Sequence, residues 1–231
     1  MVREQMGRIE LNSWKEVTDF VEQGFLQVPN WMFEHVVQHG NYYPAHAFSK
    51  GQLASKSWLL QQLWHANTEE SWPTEVAILG SWIGSLNPFL QKSFKPDRVY
   101  GIDSDPDAIE KSERLNQQWV QDGWKYKGVV HDVDMLDCSN MQFETGGELI
   151  TTKPDWIINT SCEHMSTGWF DTVDHDQLII MQTNNSEEFE GHINTCHSVL
   201  HMQEKYPMRD VRFVGEMKTP VYTRYMQIGY K

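Results

Sequence analysis

An α/β fold built on an open, mostly parallel sheet is predicted by three features of the 231-residue sequence. Short apolar, β-like runs alternate with helical segments from residue 73 onward. The first two runs end in a glycine turn and an aspartate, and the chain closes on a strand–turn–strand pair. Five strands separated by helices call for a parallel sheet covered on both faces. The closing hairpin requires the last strand to enter antiparallel. Hydrophobic residues make up 39%, with 10 Trp, 10 Phe and 8 Tyr, which is enough to fill a core and excludes global disorder.

Taken in order, residues 1–72 carry helical patterns and no convincing strand, and are expected to form an N-terminal helical cap or lid. Asn12-Ser13 reads as a cap before Trp14, Val17, Phe20 and Val21, which recur at helical spacing. A second apolar face runs through Trp31, Phe33, Val36 and Val37. A third follows Ser49-Lys50-Gly51 with Leu53, Trp58, Leu59, Leu60 and Leu63. The aromatic loop N-Y-Y-P-A-H-A-F, with Tyr42, Tyr43 and His46, lies between them. Residues 73–231 form the second region. Its predicted strands are 75–79, 98–103, 126–131, 155–159, 177–182, 210–217 and 221–230. Pro106 to Trp119 and Gly191 to Tyr206 read as helices.

A formal net charge of −13 argues against binding a nucleic-acid backbone, which needs clustered Lys and Arg; Lys125 and Lys127 offer only a small basic patch. Three Cys, at 138, 162 and 196, form no CxxC and fit a reducing cytoplasm. The charged N-terminal stretch has no apolar signal-peptide core, and no apolar run approaches the ~20 residues needed to span a bilayer. A soluble cytoplasmic protein with no membrane partner is expected. The aromatic residues of the first 70 positions suit a lid or a homo-oligomer interface equally.

The run E-V-A-I-L ends in Gly80-Ser81-Trp82-Ile83-Gly84-Ser85. A glycine turn there lets backbone approach a ligand, and the following helix offers free N–H groups. Asp103 closes the second run, 23 positions after Gly80. An acid ~20 residues beyond the turn is placed to accept ribose hydroxyl hydrogen bonds. The bland alternative is that both glycines pack helix on strand and Asp103 caps the next helix.

These segments, V-A-I-L-G-S-W-I-G, V-Y-G-I-D-S-D-P-D-A-I, V-V-H-D-V and P-D-W-I-I-N, resemble the first four motifs of the class I S-adenosylmethionine-dependent methyltransferases, with a divergent glycine-rich motif. The terminal hairpin is similar to that fold's antiparallel seventh strand. The resemblance covers about residues 73–231. It implies a seven-stranded Rossmann-like sheet of order 3-2-1-4-5-7-6 and S-adenosyl-L-methionine as cofactor. It further implies that Gly80, Ser81, Trp82 and Gly84 line the methionine part, and that Asp103 with Ser104 holds the ribose. Asp132 or the backbone at Val133 would hold the adenine, and Asn159 would sit at the reaction mouth. The family's acid two positions before the first glycine is Ile78 here, and its middle glycine is Trp82. Tyr42, Tyr43, Lys50 and Lys56 are therefore available to hold the zwitterionic end of the cofactor or the acceptor, and Trp82 to stack near the sulfonium.

Two polar mouths follow the fourth and fifth strands. Asn159-Thr160-Ser161-Cys162-Glu163-His164 offers Glu163 and His164 as a base or as acceptor-orienting groups, the alternative being a turn that caps a helix. Gln182-Thr183-Asn184-Asn185 offers amides for an acceptor at Asn184 and Asn185, with His192 opening the helix beyond. No metal site is expected, since His197 and His201 at i, i+4 have no third ligand fixed by spacing. Cys162 beside Glu163 makes a poor thiolate. The expected activity is methyl transfer from S-adenosylmethionine to a small-molecule acceptor. The alternatives are a lyase or cyclase that consumes the same cofactor, and a cofactor-binding protein without turnover.

Overall fold

The computed structural model describes residues 6–23, 30–67, 72–145 and 147–231. In chain order the elements are β1 (Met6–Glu10), α1 (Trp14–Gln23), α2 (Asn30–Gln38), α3 (Lys50–Ala66), β2 (Glu75–Leu79), α4 (Asn87–Ser93), β3 (Arg98–Asp103), α5 (Pro106–Leu115) and α6 (Gln117–Gln121). There follow β4 (Tyr126–Val130), β5 (Met141–Thr145), β6 (Glu148–Thr152), β7 (Trp156–Asn159), α7 (Gly168–Thr172), β8 (Leu178–Asn184), α8 (Val199–Lys205), β9 (Asp210–Lys218) and β10 (Thr223–Tyr230).

Eight strands form one sheet in the order β1-β9-β10-β8-β7-β2-β3-β4. Numbered among themselves, the seven strands anticipated beyond residue 73 stand in the expected order 3-2-1-4-5-7-6. The last of them, β10, runs antiparallel to both β8 and β9. Two features are additions. β1 lies parallel to β9 on the sheet edge, so the N-terminal region is not wholly helical. β5 and β6 form a separate antiparallel ribbon, joined across Gly147 at φ +82°.

Period-two side-chain alternation explains why the central strands read as unbroken apolar runs. In β2, Val76 and Ile78 face one layer and Ala77 and Leu79 the other. The first layer holds α1, α3 and α4, with Val17, Trp58, Leu59, Leu63 and Phe89 buried. The second holds α7 and α8, with Trp169, Phe170, Met202 and Tyr206. At ~25 cal/mol per Å2 of apolar surface buried, these two layers supply the main stabilisation of the sheet.

Ser13 and Glu16 start α1 by reciprocal capping: Glu16 N–H donates to Ser13 Oγ (3.2 Å) and Asn12 N–H to Glu16 Oε2 (3.0 Å). Ser49 caps α3. Ser55 on α3 donates to Gln182 Oε1 (2.7 Å), and Gln182 Nε2 donates back to the Ser55 carbonyl (3.2 Å). This buried exchange fixes α3 over the end of β8 and sets the position of Lys56.

Two helix boundaries differ from expectation. The helix expected over Pro106–Trp119 breaks at Asn116, whose Nδ2 donates to the Gly84 and Ser112 carbonyls. The helix expected from Gly191 begins only at Val199, capped by Ser198. Gly191 sits at φ +83°, and the Ile193 and Asn194 N–H groups are taken by the Glu163 carbonyl (2.9 and 3.0 Å). Those tertiary bonds outcompete the first helical turns. Among the described residues, no helix is long and apolar enough to cross a membrane.

Candidate functional site

A cavity of ≈ 710 Å³ opens at the carboxyl ends of β2, β3, β4, β7 and β8, roofed by the turn and helix start around His46, Ser49, Gln52 and Lys56. Ligands bind at this edge of open α/β sheets because loops diverge there on either side of a switch in strand order. Here β2 is the switch, with β3 on one side and β7 on the other.

One half of the cavity belongs to β2, β3 and β4. Gly80 turns the chain at φ +61°, and a Cβ there would stand 3.0 Å from both Ser161 Cβ and Met165 Cε. Only glycine lets the turn after β2 meet the turn after β7 so closely. Trp82 is also left-handed, at φ +49°. Its N–H donates to Asp103 Oδ2 (2.8 Å), while the Asp105 N–H donates to Asp103 Oδ1 (3.1 Å). The Asp103 carboxylate is thus aimed by two backbone donors, and each oxygen keeps a lone pair for a ligand. Ser104, Asp132 and Val133 line the same half. The Asp132 carboxylate accepts from the Asp134 N–H (3.0 Å).

The other half is charged and more deeply buried. Glu163 is 3% exposed and Arg224 4%, with a guanidinium nitrogen 3.8 Å from Glu163 Oε1. Asn184 Nδ2 donates to the same oxygen at 2.6 Å, whereas Glu163 Oε2 is buried without a hydrogen-bond partner. Arg224 also donates to the Thr160 carbonyl (3.2 Å). Lys56 is buried beside them and donates to Gln52 Oε1 (3.0 Å). Burial, and then the charge of Arg224, bring its pKa down to about 7. Arg224 is thus the cation paired with Glu163, and Lys56 is the neighbour whose charge Arg224 opposes. At the mouth, His164 and His192 meet edge to face with centroids 4.6 Å apart.

Of the residues singled out from the sequence, the cavity brings together Lys56, Gly80, Ser81, Trp82, Asp103, Ser104, Asp132, Val133, Glu163, His164, Asn184 and His192. The others lie elsewhere. Gly84 packs under Tyr126, Asn116 and Ser112. Asn159 is fully buried beneath the site, where it accepts from the Ser161 N–H (3.0 Å) and directs the turn. Tyr42 donates to Glu110 and carries the Arg114 guanidinium on its ring; Tyr43 is buried against His35. Asn185 receives the Thr223 N–H on the outer side of β8. His192 stands in a turn, not at a helix start. Burial, and then the Glu163 charge, push the Cys162 thiol well above its ordinary range, which rules out a ready nucleophile. The Trp82 ring lies against His46 of the roof, centroids 4.8 Å apart, so it joins the two regions of the chain.

Tyr222 and Arg224 are lining residues that the sequence reading did not pick out, and His46, noted only as part of the aromatic loop, lines the cavity as well. Arg224 did leave a signal: an arginine at the start of a strand that is otherwise largely apolar and buried must find a partner inside.

No model of a known protein family matches the chain, and no curated protein matches it. Solved structures do. Magnesium protoporphyrin IX methyltransferase from Synechocystis PCC 6803, with bound SAM, superposes with a TM-score of 0.53 at 16% identity over 95% of this chain and 93% of that one. The N-methyltransferase NodS from Bradyrhizobium japonicum WM9 gives 0.53 at 10% identity, covering 75% and 95%. MtNAS in complex with MTA and tNA gives 0.54 at 13% identity, covering 87% and 69%. With the strand order, the antiparallel β10 and the cavity at the carboxyl ends of the strands, these likenesses establish that the chain has the fold of the class I S-adenosylmethionine-dependent methyltransferases.

Proposed function

We propose that the protein binds S-adenosylmethionine and transfers its methyl group to a small-molecule acceptor. The observation that carries this reading is the Asp103 carboxylate at the tip of β3. Two backbone donors aim it into a cavity that Gly80 and Trp82 bound on one side and Asp132 on the other. A vicinal ribose diol fits such a carboxylate, and the Asp132–Val133 turn is placed for the base. Two neighbours on the same fold, carrying SAM and MTA, support the choice of cofactor.

Lys56 and Arg224 supply positive charge in excess of Glu163, which suits the carboxylate of the cofactor's aminobutyrate end. Ile78, buried in the strand, supplies no acid for the ammonium end. The roof around His46 closes the cavity from above, as a lid that excludes water and orients an acceptor at ~3 Å from the methyl group would do. A partly roofed cavity in a chain of net charge −13 favours a small acceptor over a polyanion.

The first test is calorimetric titration with S-adenosylhomocysteine and S-adenosylmethionine at neutral pH. Affinity in the micromolar range, about −8 kcal/mol, is expected. Heat from neither ligand would reject the reading.

The affinity should depend on pH through Lys56. Its ammonium is present below about 7 and lost above, so an anionic ligand binds more tightly on the acid side. Between pH 6.5 and 8.5 the S-adenosylhomocysteine affinity should fall, and Lys56→Met should flatten that slope. An equal slope in the variant would remove Lys56 as the source of the pH dependence.

A second reading is favoured by Ile78 and by the MTA-bound neighbour: consumption of the cofactor at its aminobutyrate part without methyl transfer. The products separate the two. Methylthioadenosine formed from cofactor alone marks the second reading; S-adenosylhomocysteine formed only with an acceptor marks the first.

A further inference from the structure

We infer that Glu163, His164 and His192 form a divalent-metal site at the acceptor end of the cavity, with open coordination positions facing the ligand space. The inference builds on the methyl-transfer reading and gives the acceptor a chemical class, a small molecule with an oxygen donor that a metal ion can hold.

Each of the three side chains offers one ligand atom, and these atoms lie within 4.8 Å of one another. Metal–ligand bonds of ~2.1 Å put ligand atoms roughly 3–4 Å apart, so closure needs a movement of about 1 Å. His164 is exposed and free to make it. Two turns distant in sequence are tied together for this purpose. The Ile193 and Asn194 N–H groups both donate to the Glu163 carbonyl, which clamps the turn carrying His192 onto the turn carrying Glu163 and His164.

The remaining bonds orient each ligand. His192 Nδ1 lies 2.5 Å from the Ser186 carbonyl and must donate to it. The lone pair is therefore on Nε2, the arrangement by which backbone carbonyls set the tautomer of metal-binding histidines. Glu163 Oε1 is occupied by Asn184 and faces Arg224, which leaves Oε2 buried and unpartnered. A buried carboxylate oxygen without a donor is costly unless something binds it. Two imidazoles and one carboxylate with open positions suit a first-row divalent ion such as Fe(II), Co(II), Ni(II) or Zn(II), rather than Ca(II), which prefers an all-oxygen shell.

The test is titration of the full chain with Co(II), followed by visible absorption and calorimetry, beside the same titration on His164→Ala, His192→Ala and the control double variant His197→Ala/His201→Ala. The control removes the stacked His197–His201 pair, which does not line the cavity. One equivalent of Co(II) should bind the parent and the control alike. Each site variant should lose at least tenfold in affinity, with an unchanged far-ultraviolet spectrum. Parent binding that the site variants leave intact, or no stoichiometric binding at all, overturns the inference. S-adenosylhomocysteine is titrated into the same samples. Binding of that ligand without Co(II) binding defeats the metal site alone, and its absence defeats the methyl-transfer reading.

Discussion

Asp103→Ala should weaken S-adenosylhomocysteine binding by about 100-fold while the protein stays folded. Two charge-assisted hydrogen bonds to ribose hydroxyls are worth roughly 1.5 kcal/mol each, and the sum of about 3 kcal/mol corresponds to that factor. The substitution also frees the Trp82 and Asp105 N–H groups, so a small drop in the thermal midpoint is expected. Asp103→Asn keeps one acceptor oxygen and should fall between parent and alanine variant. Calorimetry on all three proteins decides the matter. An alanine variant within threefold of the parent would remove the ribose assignment.

Gly101→Ala should produce a large loss of stability. A Cβ at this position would overlap the Tyr126 hydroxyl and stand 2.8 Å from its Cζ. Tyr126 is fully buried on the neighbouring strand β4 and has no room to retreat. Overpacking of this severity costs about 3 kcal/mol or more, which lowers the midpoint of a domain this size by roughly 6–12 °C. Tyr126→Phe removes the overlapping oxygen, so the double variant should recover part of the loss. A single variant melting within about 2 °C of the parent would show that β3 and β4 separate easily. Because Asp103 ends the same strand, S-adenosylhomocysteine affinity should fall along with stability in Gly101→Ala and return with it in the double variant.

The likeness to methyltransferases of known structure lies in backbone architecture at 10–16% identity, so the side chains of the cavity distinguish this protein. In this chain Trp82 lies in the left-handed region, and Lys56, Arg224 and Glu163 line the roof and the β8–β10 side of the cavity.

The central strands beyond residue 73 were legible because they are short apolar runs, and a sheet covered on both faces demands such runs, whereas the β5–β6 ribbon, which stands outside that sheet, was not. Gly80 and Asp103 were legible for a related reason. Turn geometry and hydrogen bonding at a strand tip are local, so their residue types show in the chain itself. β1 was not legible, because an edge strand's pairing depends on what lies beside it. M-G-R-I-E has no apolar face of its own and becomes a strand by pairing with β9. The 191–198 segment was misread for the converse reason. Its polar pattern permits a helix, but Glu163, about thirty residues upstream, takes the N–H groups the helix would need.

By itself, then, the sequence determined the order and type of the central elements and one half of the cavity, since local patterning and turn chemistry govern both. The sequence also offered Lys56, Glu163, His164, Asn184 and His192, but only the tertiary structure decided how the other half is assembled and brought in Arg224. Lys56 on α3, Glu163 after β7, His192 after β8 and Arg224 on β10 come from four segments with no shared spacing. Long-range packing and hydrogen bonds, such as the Ser55–Gln182 exchange and the clamp on the Glu163 carbonyl, bring them to one place, and no periodicity in the chain records that encounter.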